Sequence, residues 1–355
     1  MTPDVALEPL RNAVLALSGA VLLLSLVLLG ERAAAAILNR RARRREALLT
    51  RMVYRAIQVV AGSGSEFSAL GRLDRQLVRK ILLRLAMDLR GDTGEAIAAL
   101  YQRLGFLAPD LKRLRSWRAT TRASAVADLG LIRAAAALPA LLDRLQDPDV
   151  RVRQTAVWAV GQAGSAGNLA SLIRLLGDPS RVVARRVEEV LAERGREVKD
   201  AIIAYAAKTA SRAGRLAAIE LIGWLRLAEG AELLFTLASD MDAEVRVKSV
   251  KAAAAIGDPR FVEVFHQRLD DPCWEVRCQA AKGLSVFGSP DSVPRLERAL
   301  RDRQWWVRFY AAAALAEVGA QGEEALEKAL HDPDSPVREM ARYVLERGSA
   351  VPALP

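Results

Sequence analysis

Asp271-Pro272-Cys273-Trp274-Glu275-Val276-Arg277 opens a stretch that continues through Ala280, Ala281 and Leu284 to Gly288. The same order recurs along the chain. Asp147-Pro148 leads to Val152-Arg153 and Gly164, Asp240 to Val245-Arg246 and Gly257, Asp302 to Val307-Arg308 and Gly319, and Asp332-Pro333 to Val337-Arg338. Asp178-Pro179 leads to Val183-Ala184 and Gly195, a copy without its arginine. The aspartates stand 31, 62, 31, 31 and 30 residues apart, and a degenerate copy at Thr209, with Arg215 in the expected place, fills the double step. Counting back gives a further copy at Ser116 with Arg122, so eight units result. Self-similarity at a fixed period of this length marks a stack of one supersecondary unit.

Each unit has a physical logic. The aspartate stops one helix and is placed to cap the next, where free backbone N–H groups favour a carboxylate. The proline after it cannot continue a helix but suits a helix start. Val-Arg opens an alanine-rich helix, which the glycine ends 17 residues after the aspartate. Spaced apolar residues such as Leu169, Leu172, Ile173 and Leu176 then predict a second helix. Two short amphipathic helices cannot bury their apolar faces alone, so the units must stack.

This signature resembles the HEAT-repeat family, in the bacterial form close to the phycobilisome-lyase-type HEAT repeats, over about residues 116–348. The resemblance implies an all-α fold, a right-handed α-solenoid of about eight 31-residue helix pairs. It also implies a ladder of Asp and Arg contacts between turns, carried here by Asp147/Arg153, Asp240/Arg246, Asp271/Arg277, Asp302/Arg308 and Asp332/Arg338. Their role is then structural and not catalytic. A fold of this kind says little about function.

The net charge of +10 is unevenly spread. Residues 1–115 hold 19 Lys/Arg against 10 Asp/Glu, and the remaining 240 residues hold 33 against 32. A nucleic-acid scaffold carries its positive stripe on the binding domain itself, so the near-neutral repeats weigh against DNA or RNA.

Before the repeats, Ala13 to Gly30 form an uncharged run of 18 residues, about 27 Å of helix. Arg40, Arg41, Arg43, Arg44 and Arg45 follow it. The residues before the run are not basic, which favours an uncleaved transmembrane anchor over a signal peptide. Positive flanks stay cytoplasmic, which predicts a single-pass inner-membrane protein with its N-terminus outside and its repeats in the cytoplasm, the arginines resting on anionic headgroups. The expected domains are an anchor over 1–39, a basic juxtamembrane segment and helical cap over 40–115, the solenoid over 116–348 and a flexible tail over 349–355. Within the cap, Gly62-Ser63-Gly64-Ser65 predicts a break, Leu77, Ile81, Leu82, Leu85 and Leu89 one helical face, and Asp92-Thr93-Gly94-Glu95 a capping box.

No nucleophile–base pair, phosphate loop or carboxylate dyad stands out, so no catalytic residue and no cofactor is expected, and the protein reads as a non-enzyme. Cys273, Cys278 and His266 lack the paired spacing of a zinc site, and the cysteines read as reduced thiols. Trp274 and Trp305 stand three residues after their aspartates in adjacent units. With Trp306, Arg277 and Arg308 they form the expected partner-binding patch, against the duller reading that the rings pack between repeats. Arg181, Arg185 and Arg186 of the loose third copy are a second candidate, with a solvated charged face the plainer explanation. The expected function is a membrane-tethered scaffold for protein partners, by analogy an accessory subunit of an envelope or polysaccharide-synthesis machine. Two rival readings are a bilin-lyase-like enzyme, through the resemblance, and a nucleic-acid-binding protein.

Overall fold

The computed structural model describes residues 29, 31–32, 40, 43–58 and 67–347. The apolar run (but for Leu29), Arg41, the Gly62–Ser65 break and the tail lie outside them. Among the described residues no helix is long and apolar enough to cross a membrane. This overturns the expectation of a single-pass inner-membrane protein with a cytoplasmic solenoid, and the envelope-machine analogy that rested on the tether goes with it. The physical reason is helix length and patterning. The longest helix among the described residues, Arg72–Asp88, has 17 residues and carries charge on every turn, as a helix must when one face meets water.

The chain divides into two compact units between Asp110 and Leu111. The first holds helices α1 (43–58), α2 (Arg72–Asp88), α3 (Asp92–Arg103) and the start of α4 (Leu107–Arg113) around a core of Val53, Val78, Ile81, Leu82, Ile97, Leu100 and Tyr101. The buried stripe of α2 runs Asp74, Val78, Ile81, Leu82, Ala86, so Leu77 and Leu85 flank it instead of lying in it. The expected capping box is absent. Asp92 is already the first residue of α3, and Gly91, at φ 61°, stands at the cap. Arg45, expected on headgroups, gives its guanidinium to the buried Asp74 carboxylate, while Arg40, Arg43 and Arg44 are exposed. Arg79 reaches both carboxylate oxygens of Asp110 at 2.9 Å, and the Tyr101 hydroxyl donates to the same group.

In the second unit the helices fall into two layers. One layer holds the long helices, five of which carry a Val-Arg pair. These are α5 (Ala119–Ile132), α7 (Val150–Ala163), α9 (Arg181–Arg194), α11 (Arg212–Trp224), α13 (Ala243–Ile256), α15 (Trp274–Ser285), α17 (Trp305–Glu317) and α19 (Ser335–Arg347). The other layer holds the shorter α6 (Leu138–Asp143), α8 (Ala166–Leu169), α10 (Lys199–Lys208), α12 (Ala231–Leu237), α14 (Phe261–Arg268), α16 (Val293–Ala299) and α18 (Ala320–Ala329), several continued by 3₁₀ turns. Each long helix therefore opens one of the eight sequence units. This second unit is an all-helical solenoid-like stack, and no strand occurs among the described residues.

Small residues let the long helices approach closely. A Cβ on Gly130 would stand 2.6 Å from the Ala159 Cβ, and one on Gly223 would stand 2.8 Å from Ala252. Real atoms do not come so near. The neighbouring long helices pack in sequence, except that α9 meets α11 far more loosely than any other pair. There the 3₁₀ stretch Ala170–Gly177 packs against both.

The recurring aspartate is not the helix cap that its place suggested. Asp147 accepts from the Asp149 amide two residues on, and Asp149 caps α7 by accepting from the Arg151 amide. Asp240 and Asp242 repeat the arrangement at α13. The first aspartate thus closes an Asx turn and leaves its carboxylate free for an arginine. That arginine comes from the preceding unit. Arg122 clasps Asp147 at 2.7 and 2.8 Å, Arg153 Asp178 at 3.0 Å, Arg246 Asp271 at 2.8 and 2.9 Å, and Arg277 Asp302 at 2.7 and 3.0 Å. Within its own unit each arginine donates instead to the aspartate's main-chain carbonyl, as Arg153 does to Asp147 at 2.9 Å. The pairs expected inside single units are therefore shifted by one unit.

The glycine that ends each long helix is needed where φ is positive, at Gly257, Gly288 and Gly319. Arg133 (φ 54°) and Arg226 (φ 51°) take that conformation in the first and fourth units.

Candidate functional site

The ladder lacks the rung between its third and fourth units, and a groove lies beside that gap. Ala184 stands where the third arginine would be and Thr209 where the fourth aspartate would be, at the same spacing as the pairs that form. Both ends of one rung are lost together. Thr209 keeps only the turn, accepting from the Ser211 amide at 3.1 Å. At this place α9 and α11 pack loosely, and a groove of about 350 Å³ lies over α9, α11 and α13. This volume is at the lower end of the range for ligand clefts.

Three carboxylates, three cations and one indole line the groove. Arg185 pairs with Glu189 at 3.7 Å, Lys248 with Glu220 at 2.7 Å, and Lys251 with Glu220 at 3.7 Å. Glu188 has neither ion pair nor hydrogen bond among the described residues. Burial first, and Glu220 second, push its carboxyl above the ordinary range against the pull of Arg185 and Lys248. Trp224, at the end of α11, is 71% exposed. An indole left in water at the rim of a groove is a contact surface that folding did not use.

The residues singled out from sequence are distributed differently. Trp305 stacks on Phe309 with ring centres 5.3 Å apart and stands edge-on to Trp306 and Tyr343, while Trp306 stacks on Tyr310. These rings join α17 to α19, and Trp305 retains 37% exposure. Among the described residues Trp274 makes no ring contact with Trp305, although the two hold equivalent positions. Arg277 is a rung of the ladder. Arg308 is not, because the last step is one residue short. Asp332 pairs with Arg301, and the buried Arg308 Nε has no hydrogen-bond partner. Arg185 of the third-copy cluster does line the groove, Arg186 holds Glu189 at 2.8 Å, and Arg181 is exposed.

Sequence reading passed over Trp224, Glu188, Glu220, Lys248 and Lys251. The signal that could have found them was the paired loss at Ala184 and Thr209. Cys278 is buried, and burial pushes its thiol up to about 11, so it stays protonated near neutrality. His266, also buried, is held by Ser292 at 2.9 Å.

Comparison with known proteins fits this geometry. The family described as HEAT repeats matches residues 108–192 and 262–346. Over those residues the helix pairs are similar to HEAT repeats. The groove lies between the two matched segments for all but its α9 wall. Among curated proteins, the phycocyanin operon protein Y of Pseudanabaena tenuis is 33% identical over 99 residues, which is 28% of this chain and 22% of that protein. The chain thus matches about a fifth of that relative's length. Among solved structures, an engineered protein aligns at 21% identity, 85% of this chain, 95% of that one and a TM-score of 0.40. Kap121p aligns at 14% identity over 78% and 42% with a TM-score of 0.42. The CpcE–CpcF complex of phycocyanin lyase from Nostoc aligns at 18% identity over 68% and 94% with a TM-score of 0.29.

Proposed function

We propose that this chain is a HEAT-repeat scaffold that holds a protein partner on its long-helix layer, over α9, α11 and α13. The observation that supports it best is the groove at the missing rung with Trp224 exposed on its rim. Interface anchors are enriched in tryptophan seated beside partly desolvated polar groups, and that combination is assembled here. The Trp274, Trp305 and Trp306 patch is the second surface. Its rings already pack on one another, so it offers a partner less new burial.

Site-specific photo-crosslinking in intact cells separates the two. A crosslinker at position 224 is expected to trap a discrete protein, with position 305 trapping less and the outward-facing Leu345 none. The scaffold reading falls if no position yields a discrete adduct.

The likeness to phycocyanin operon protein Y supports a second reading, a bilin-lyase-like activity. Incubation with a free bilin would then give a coloured protein with a mass increase. Cys278 is a poor nucleophile while its thiol is protonated, so any adduct is expected at Cys273. A colourless, unshifted protein removes this reading.

A further inference from the structure

Helix α1 of the first unit has two faces of opposite character. Leu49, Val53 and Ile57, four residues apart, are buried and seat the helix. On the other side Arg44, Leu48, Arg51 and Arg55 stand at i, i+4, i+7 and i+11, one row about 16 Å long. Arg43 and Tyr54 flank the row, and all six residues are exposed. Glu46, the one carboxylate of α1, lies on the far side of the helix and is held by Arg84 at 3.1 Å. Arg45 is spent on Asp74. The guanidinium groups of Arg43, Arg44, Arg51 and Arg55 have neither ion pair nor hydrogen bond among the described residues. Four positive charges therefore share one face with no negative charge between them, and Arg51 and Arg55, four residues apart, repel each other. Such a face is complementary to an anion that repeats.

The apolar side chains on the face select among such anions. Leu48 is 60% exposed in the middle of the arginines and Tyr54 45% exposed at their flank. A sugar–phosphate backbone gives a leucine nothing to bury against. A bilayer takes up a helix by its broad apolar face, and that face of α1 is already buried. A protein surface covers both kinds of side chain, and arginine and tyrosine are the residues enriched at such contacts. We infer that the exposed face of α1 binds an acidic segment of a protein partner, with carboxylates on Arg44, Arg51 and Arg55 and an apolar side chain on Leu48. A helix with glutamates four residues apart presents carboxylates about 6 Å apart, the rise from Arg51 to Arg55, and each guanidinium can fork onto one of them. The inference goes beyond the groove reading, because it concerns the first unit and does not depend on what occupies α9, α11 and α13.

Fluorescence anisotropy of labelled peptides against the full chain tests it. Two sixteen-residue peptides share one alanine–leucine helical frame and carry either glutamate or glutamine at the same positions, four apart. The glutamate peptide is expected to bind saturably and the glutamine peptide not to bind. Neither a single-stranded oligonucleotide nor vesicles of equal parts phosphatidylserine and phosphatidylcholine should displace it. Arg51→Glu with Arg55→Glu should weaken binding about tenfold or more, since it sets like charges against each other. Arg51→Lys with Arg55→Lys should weaken it about threefold, because the charge stays and the forks are lost. Leu48→Ser should also cost about threefold. Arg303→Glu, at an exposed arginine of the second unit, should change nothing. The inference is overturned if the glutamine peptide binds as well, if the charge reversal leaves the affinity intact, or if no peptide binds. It is also overturned if the oligonucleotide or the vesicles displace the peptide, which would make the face a general polyanion site. Crosslinking from position 224 decides the groove reading separately, because that position lies in the second unit.

Discussion

Asp271 gathers three donors around one carboxylate: Arg246 Nε at 2.9 Å, Arg246 Nη2 at 2.8 Å and the Cys273 amide at 2.9 Å. Its side chain is 1% exposed and that of Arg246 11%. Burial alone would raise the Asp271 carboxyl, but Arg246, the Cys273 amide and Arg268 together outweigh it and hold the group below the ordinary carboxylate range. A clasp of this kind is costly to break from one side, because the remaining charge stays buried without its partner. Asp271→Asn should therefore lose about 3 kcal/mol, while Asp271→Leu with Arg246→Met should lose clearly less. Urea midpoints at an unchanged slope give both numbers. If the double variant is as unstable as the single one, the clasp contributes net stability of its own and the cost is not that of a stranded guanidinium.

At the scale of elements, the fold depends on which helices the ladder ties. Sequence showed the period, the eight long helices and the identity of the ladder residues, because an aspartate, an arginine and a glycine recurring in register leave few alternatives. It misplaced the partners by one unit. Asp147 and Arg153 are near in sequence, but the Asx turn aims the carboxylate back toward Arg122. It also treated the third copy as a weaker instance of the others. The structure shows a defect with two matched ends, Ala184 and Thr209, and this is where neighbouring long helices pack most loosely. The groove was not legible because its lining comes from three units at positions outside the repeated signature. Restoring the rung tests this. Ala184→Arg with Thr209→Asp should show a favourable coupling of about 1–2 kcal/mol beyond the two single substitutions. A coupling near zero would mean that something other than the lost rung separates these helices.

The whole molecule inherits both its pH response and its cooperativity from the ladder. Asp147, Asp271 and Asp302 are each raised by burial, but their arginines and turn amides more than offset this and leave them below the ordinary range. Carboxyls depressed in the folded state stabilise it above their unfolded value, about pH 4, and that stability is lost as pH falls through the folded values. Glu188 acts in the opposite sense, one group against three. At the alkaline end the Cys278 thiol, pushed up to about 11 by burial, withdraws stability as pH rises from about 8.5 toward that value. The urea midpoint should thus be flat between about pH 5 and 8 and fall on both sides, with Cys278→Ala removing part of the alkaline fall. Stability in a stack is a sum of units and the interfaces between neighbours, so one weak interface can divide it into separately melting blocks. Rungs tie α5 to α9 through Arg122–Asp147 and Arg153–Asp178. Beyond the gap, Arg215–Asp240 at 3.7 Å, Arg246–Asp271 and Arg277–Asp302 tie α11 to α17. The loose α9–α11 contact is the place to part, bridged from the second layer by Ala170–Gly177 and α10 and by the Arg196 guanidinium donating to the Leu225 carbonyl at 3.0 Å. Native-state hydrogen exchange should then give two opening free energies, one shared by the amides of α5, α7 and α9 and another by those of α13, α15 and α17. In the chain carrying Ala184→Arg and Thr209→Asp the two values should converge. A single opening free energy across all six helices in the unaltered chain would show that the second layer alone is enough to carry cooperativity past the missing rung.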